Sequence, residues 1–262
     1  MAGKAMTISE VDELNARHDL FTDPARSEVE NCGPYLLVVD DFYPDPMRIR
    51  TLALAQYFVQ YMPPLAEQVG VERAAEFDPD TAPWFTTCLF HFRGKPVKHP
   101  IEGFRHADRE VQESLANLVC ESIDTSTWDK LGDGWNGAFH LQYASKINGR
   151  GIHHHFKDFD VYPRGWSGVV YLTPGEYPDS GTTIWRELGT GRCVAKKGPL
   201  FVDDVDGFEK IMTIENKFNR LVLFRENVLH RVEPGFGDGP DNGRLTQTFF
   251  FLTEAANSYS SG

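Results

Sequence analysis

From residue 136 onward the sequence is a succession of short apolar segments separated by glycine, proline and aspartate, and this pattern restricts the fold more than any other feature. Runs of this length, rich in β-branched and aromatic residues and bounded by turn residues, predict strands. The interval 203–218 is charged and receives no assignment. Strands are expected at 138–145, 166–172, 182–187, 192–196, 219–224 and 245–253.

The first half of the chain predicts helices. Asp45 is a favourable N-cap, and Pro46 suits the first turn of the helix that follows. Apolar residues at helical spacing continue from there, and Pro63 is expected to end the helix. A second apolar stripe at helical spacing runs over 111–123.

Helices that precede a strand-rich half predict a single α+β domain whose strands form a barrel or sandwich. Shorter strands are expected before the second helix, at 35–39 and 86–92. Residues 1–34 are polar and weakly patterned, so we interpret them as an N-terminal arm. The domain proper is then expected to span 35–262.

The charge and the distribution of cysteines exclude several functions. Lys and Arg number 26 against 38 Asp and Glu, giving a net charge of −12 that disfavours a nucleic-acid partner. The 4 cysteines include no Cys-x-x-Cys pair, so neither a disulfide framework nor a thiolate zinc site is expected. No apolar run reaches the length of a membrane span, and the first ten residues lack a secretory signal. These features predict a cytoplasmic protein that does not enter a membrane.

The segment 151–158 (GIHHHFKD) contains three adjacent histidines. Alternate side chains of a strand share one face, so His153 and His155 would point the same way and His154 the other. Imidazole is a suitable ligand for Fe, Zn and Cu. A turn after the strand would also bring the Asp158 carboxylate back toward the same place. The segment therefore predicts a metal site.

A second group of polar residues lies near the C-terminus. The apolar segment 219–224 leads to a turn and His230, and a later segment begins with Arg244 and has Thr246 two residues on. By strand parity Arg244 and Thr246 share a face. A guanidinium is a planar fork that matches a carboxylate, and a hydroxyl adds a further donor.

The order of these pieces resembles the Fe(II)/2-oxoglutarate-dependent dioxygenases and, more narrowly, the branch of that superfamily known as DUF6445. The resemblance covers about residues 35–253 and includes Gly181-Thr182. The segments that carry it are 38–46 (VVDDFYPDP), 166–174 (WSGVVYLTP), 219–224 (NRLVLF) and 244–247 (RLTQ). It implies a double-stranded β-helix (jelly-roll) core with flanking N-terminal helices.

The resemblance also implies roles for individual residues. His230 is similar to the distal metal-binding histidine, and Arg244 and Thr246 match the pair that binds the far carboxylate of 2-oxoglutarate. Tyr143, ten residues before His153, resembles a strand tyrosine that contacts the same carboxylate. That spacing favours His153 as the first metal ligand.

One departure from the family pattern leaves the metal ligands open. The family has His-x-Asp or His-x-Glu where this chain has His153-x-His155. In the first alternative, His155 takes the place of the carboxylate ligand. In the second, Asp158 supplies the carboxylate ligand through a bulge. In a third alternative the iron site is lost and the domain is not catalytic.

The implied activity is that of a non-haem iron oxygenase. Fe(II) is its cofactor and 2-oxoglutarate its co-substrate, and oxidative decarboxylation is coupled to C–H oxidation of a small-molecule substrate. No catalytic side chain is expected beyond the metal centre. Two rivals remain: a cupin-like three-histidine metal enzyme that does not use 2-oxoglutarate, and a non-catalytic barrel that serves as a binding module.

Overall fold

The structure of the chain is a computed structural model that describes residues 8–21, 35–60, 84–87, 91–92, 95–96, 105–126, 128, 136–144, 151–155, 165–195, 201–202 and 204–254. The helices in these ranges are α1 (Ile8–Asn15), α2 (His18–Phe21), α3 (Pro46–Leu54) and α4 (Arg109–Val119). The strands are β1 (Leu36–Val39), β2 (Val59–Gln60), β3 (Trp84–Thr86), β4 (His91–Phe92), β5 (Lys95–Pro96), β6 (Phe139–Gln142), β7 (Ile152–His153), β8 (Gly165–Tyr171), β9 (Glu176–Glu187), β10 (Phe201–Val202), β11 (Phe208–Lys217), β12 (Leu221–Arg225), β13 (His230–Val232) and β14 (Arg244–Leu252).

The strand order of the two main sheets is that of a jelly roll. The large sheet has the order β1-β12-β8-β14-β6-β3-β2, and the small sheet has the order β10-β7-β13-β9-β11. Between β6 and β14 the chain passes back and forth between the sheets, remaining in the small sheet only for β9 to β11. Neighbouring strands of the core pair antiparallel. The predicted double-stranded β-helix is therefore confirmed.

The large sheet separates two apolar clusters. One face lies against α3 and α4, where Leu115 of α4 is fully buried with Trp166 and Phe249 of the sheet. The other face lies against the small sheet, and Tyr171 and Phe224 belong to that interior cluster. The apolar residues of α1 and α2 join the interior cluster as well. Because successive residues of a strand point to opposite faces, residue parity on β8, β12 and β14 tells which side chains reach the interior.

The predicted helices are confirmed, although both end earlier than expected, α4 at Val119 rather than at residue 123. Asp45 caps α3 and Asp108 caps α4, each accepting a backbone N–H three residues ahead. The prediction that α3 continues to Pro63 is wrong, because α3 ends at Leu54 and the chain turns to pair β2 with β3. None of the helices in the described part of the chain has an apolar stretch long enough to cross a bilayer.

Two predictions about the strands need correction. The charged interval that received no assignment contains β11, which pairs with β9 along its length and leaves Glu209 and Lys210 exposed. The expected strand at 192–196 is wrong, because Arg192 and Val194 each form only an isolated bridge. The remaining predicted strands correspond to β1, β6, β8, β9, β12 and β14, with ends shifted by several residues in places. The strand predicted at 86–92 shares only Thr86 with β3, and its last two residues form β4.

An ion-paired carboxylate beside β1 gives the stability a predictable pH dependence. Arg220 Nε lies 2.6 Å from Asp40 Oδ1 and Lys217 Nζ lies 3.0 Å from Oδ2, and the hydrogen bond from Arg220 is the main cause that holds the Asp40 pKa below its usual value. A depressed carboxyl pKa contributes stability above the unfolded-state value, about pH 4, and this contribution is lost as the pH falls toward the folded-state value.

We therefore expect Asp40→Asn to lower the free energy of unfolding at pH 7, and the difference from the unsubstituted protein to shrink below about pH 4. Urea unfolding over a series of pH values measures the difference. Asp12→Asn, on an exposed position of α1, is the control and should leave the stability nearly unchanged. A gap between the two proteins that does not change with pH would contradict the assignment.

Candidate metal centre

Three imidazoles meet at the end of the small sheet that faces the barrel interior. β7 lies between β10 and β13, and His153 pairs directly with His230 across β7 and β13, so both side chains point to the same face. His155 lies beyond the end of β7, and its backbone N–H donates to the Glu226 carbonyl at 2.7 Å. The ring centroids are 4.2 Å apart for His153–His230, 5.1 Å for His153–His155 and 4.9 Å for His155–His230.

Backbone carbonyls fix the orientation of two of these rings. His153 Nδ1 lies 3.0 Å from the Gly151 carbonyl oxygen, and His230 Nδ1 lies 2.8 Å from the Val228 carbonyl oxygen. A carbonyl only accepts, so each Nδ1 carries the proton and donates it. Each Nε2 then keeps its lone pair, which is how metal-binding histidines are commonly held.

The spacing of the nitrogen atoms fits a shared cation. One ligand nitrogen from each of His153, His155 and His230 lies within 4.8 Å of the others, and the Nε2 atoms of His155 and His230 are 3.2 Å apart. Two nitrogens that bind one ion at roughly 2.1 Å can be at most about 4.2 Å apart, so the latter pair fits without movement. Asp158, the alternative ligand, lies outside the described residues.

Burial keeps His230 in its ligand form. Desolvation by burial lowers the pKa of His230 well below its usual value, and the neighbouring His153 and His155 lower it further. A neutral imidazole is the form that binds a metal ion. His154, between two members of the cluster, is buried and is not part of it.

Arg244 is a buried cation that forms no ion pair with a described carboxylate. Its side chain is 2% exposed. Its Nε donates to the Ser180 carbonyl at 2.7 Å and an NH2 group donates to the Gly181 carbonyl at 3.4 Å, while the other donates to Gln142 Oε1. All three acceptors are neutral. Desolvation by burial is the main effect on Arg244 and lowers its pKa, while Tyr171 and the charge of Glu233 act in the opposite direction.

Thr246 and Tyr171 lie beside Arg244. Thr246 shares a face of β14 with Arg244 and pairs with Tyr171 across β14 and β8. The Tyr171 hydroxyl lies 2.8 Å from Thr182 Oγ1, and its ring centroid lies 5.5 Å from the guanidinium carbon of Arg244. Desolvation by burial raises the pKa of Tyr171, so its hydroxyl stays protonated and can donate.

Tyr143 does not lie in this group. It follows β6, and its ring packs 5.6 Å from Phe85 in the cluster under α3 and α4, while Gln142 reaches Arg244. Burial raises the pKa of Tyr143 to about 12, and its hydroxyl has no hydrogen-bond partner among the described residues. Its contact with 2-oxoglutarate stays a prediction.

Sequence reasoning missed Tyr171 as a neighbour of Arg244. The signal was available, because strand parity in the segment WSGVVYLTP separates the residues of β8 into two faces. What the sequence does not reveal is which of those faces meets Arg244.

Comparison with known proteins gives one family match. Residues 192–251 match the profile described as "Family of unknown function (DUF6445)". The match covers that segment alone, so membership of the whole chain in this branch stays a prediction. No curated protein matches the chain.

Several solved structures are similar to the chain. A prolyl-4-hydroxylase from Pseudomonas putida has a TM-score of 0.38 and 17% identity, covering 84% of this chain and 94% of its own. HygX from Streptomyces hygroscopicus, with nickel, 2-oxoglutarate and hygromycin B bound, has a TM-score of 0.43 and 10% identity over 87% and 91%. The epimerase SnoN, in complex with Fe3+, alpha ketoglutarate and nogalamycin RO, has a TM-score of 0.43 and 9% identity over 97% and 93%. With similarities this low, function has to be inferred from the residues themselves.

Proposed function

We propose that the chain is a non-haem iron oxygenase that couples the oxidative decarboxylation of 2-oxoglutarate to C–H oxidation of a small-molecule substrate. One observation carries the proposal. The barrel interior holds both a cluster of three imidazoles and a fully buried arginine without a carboxylate partner among the described residues. The first suits a divalent metal ion and the second suits a dicarboxylate.

The metal ligands in this proposal are His153, His155 and His230. Three ligands leave open positions for a chelating co-substrate and for dioxygen. Fe(II) bound there would supply the oxygen chemistry by which 2-oxoglutarate, dioxygen and R–H become succinate, CO2 and R–OH. The chain's part is to hold the rings of His153 and His230 correctly turned through the Gly151 and Val228 carbonyls, while burial keeps His230 neutral.

Arg244 is the proposed partner of the distal carboxylate of 2-oxoglutarate. Among the described residues no carboxylate forms an ion pair with the guanidinium, although the charge of Glu233 acts on it, and the carboxylate of 2-oxoglutarate would be a direct partner in a site from which water is largely excluded. Thr246 lies on the same face and offers a hydroxyl donor, and Tyr171, which pairs with Thr246, has its ring centroid 5.5 Å from the guanidinium carbon. These residues would orient the co-substrate so that its other end reaches the histidines.

A cupin-like three-histidine enzyme would use the same metal ligands without 2-oxoglutarate. It leaves the buried charge of Arg244 without a function. A binding module that holds no metal leaves the inward-facing imidazoles without a function. The oxygenase accounts for both features, which is why we favour it.

The test needs no substrate. Fe(II) is titrated anaerobically into metal-free protein, 2-oxoglutarate is added, and the visible spectrum is followed for a weak metal-to-ligand charge-transfer band. We expect the band only when both are present, and slow conversion of 2-oxoglutarate to succinate when air is admitted. Metal binding without any response to 2-oxoglutarate would favour the cupin-like rival, and absence of metal binding would contradict the proposal.

A further inference from the structure

Ser167 lies in the middle of a row of three residues that crosses the interior face of the large sheet. It pairs with Phe224 of β12 on one side and with Phe250 of β14 on the other. Residues directly opposite each other on antiparallel strands point to the same face. The Ser167 side chain therefore lies between two phenyl rings.

Both phenyl rings contact the histidine cluster. The Phe224 ring centroid is 4.2 Å from that of His230, and the Phe250 ring centroid is 5.0 Å from that of His155. Ser167, which separates the two rings, thus faces the gap between His155 and His230. In that gap the two Nε2 atoms are 3.2 Å apart.

The Ser167 hydroxyl has no hydrogen-bond partner among the described residues, although the residue is only 2% exposed. A buried hydroxyl is nearly always satisfied, because burial removes its bonds to water without replacing them. Alanine or valine at position 167 would pack between the phenyl rings without burying an unsatisfied hydroxyl. An unsatisfied donor beside a cation site is explained if a ligand supplies the acceptor.

We infer that Ser167 is a positioning residue whose hydroxyl donates a hydrogen bond to an oxygen at the metal-chelating end of 2-oxoglutarate. The inference rests on the proposed function. It adds a residue with a role of its own, because the histidines are proposed to bind the metal and Arg244 the distal carboxylate. The acceptor is anionic, which makes the hydrogen bond stronger than one between neutral groups. Arg244 would hold the distal carboxylate, and Ser167 would orient the end that meets the ion.

The experiment compares Ser167→Ala with the unsubstituted protein in the anaerobic titration. We expect Fe(II) affinity to stay within about threefold, because no metal ligand changes, and 2-oxoglutarate affinity to fall by about tenfold or more. The charge-transfer band should shift, because the chelating oxygen loses a hydrogen bond. Metal-free Ser167→Ala should be at least as stable as the original protein, since an unsatisfied buried hydroxyl is removed.

Thr173→Val is the matched control for stability, because its buried hydroxyl is satisfied. It donates to the Gly243 carbonyl at 2.7 Å and accepts the Leu245 N–H at 2.8 Å, so its loss should destabilise the metal-free protein. Unchanged 2-oxoglutarate affinity and an unshifted band in Ser167→Ala would overturn the inference while leaving the proposed function intact. If the unsubstituted protein gives no band, the proposed function fails and the inference falls with it.

Discussion

Alanine in place of His230 is expected to weaken Fe(II) binding by a factor of at least roughly 60. This value takes one ligand as about a quarter of the roughly 10–16 kcal/mol that a four-ligand zinc site supplies, or about 2.5–4 kcal/mol. His230 is the central member of the cluster, since its ring lies next to both His153 and His155. Anaerobic titration with Fe(II), followed by metal analysis after gel filtration, measures the loss, and His153→Ala should behave in the same way.

A buried histidine outside the cluster provides the control. His140 is fully buried in the same barrel, but its Nδ1 accepts from Trp84 and its Nε2 bonds to Thr248. His140→Ala should therefore lower the free energy of unfolding without changing Fe(II) affinity. Equal loss of Fe(II) affinity in His140→Ala and His230→Ala would mean that general destabilisation, rather than loss of a ligand, explains the result.

The same titration distinguishes the alternatives for the third ligand. If the three imidazoles hold the ion, His155→Ala loses Fe(II) as His230→Ala does, while Asp158→Ala keeps it. If Asp158 supplies a carboxylate ligand instead, Asp158→Ala loses Fe(II) and His155→Ala keeps it. His155→Asp restores the His-x-Asp pattern and should retain Fe(II), because a carboxylate is also a suitable ligand for iron.

The fold was largely predictable because its core strands carry strong local signals. Short apolar segments bounded by turn residues predict β8, β12 and β14 from the sequence alone. β11 was missed because its first residues, such as Glu209 and Lys210, are exposed and charged, so it lacks the apolar pattern of a buried strand. Its pairing with β9 is a long-range contact that no local pattern reports.

The candidate site was only partly predictable because parity depends on where a strand begins and ends. His153 and His155 were expected on one strand, yet β7 ends at His153, and His155 is held by a backbone hydrogen bond to Glu226. Tyr143 was expected to contact the same carboxylate as Arg244, which stays a prediction, while its neighbour Gln142 is the residue that bonds to Arg244. No sequence pattern points to Ser167, because the position of its side chain depends on the phenyl rings of two neighbouring strands.

Methionine in place of Arg244 is expected to weaken 2-oxoglutarate binding by at least roughly 30-fold while leaving Fe(II) affinity unchanged. Loss of one partner from a buried, hydrogen-bonded charge pair costs about 2 kcal/mol or more. The metal-free Arg244→Met protein should be less stable than the original, because the carbonyls of Ser180 and Gly181 and the amide of Gln142 lose their buried donor. The charge-transfer titration and urea unfolding measure the two quantities.

Arg50 offers a matched control, because it is also a buried arginine with backbone acceptors. It donates to the Leu172 carbonyl at 3.0 Å and to the Asp241 carbonyl at 2.7 Å, and it belongs to α3 rather than to the barrel interior. Arg50→Met should lower stability and leave 2-oxoglutarate affinity unchanged. If Arg244→Met binds Fe(II) and 2-oxoglutarate as the original protein does, Arg244 is not the carboxylate partner. In a protein that binds Fe(II) but gives no response to 2-oxoglutarate, the three histidines would serve a cupin-like chemistry instead.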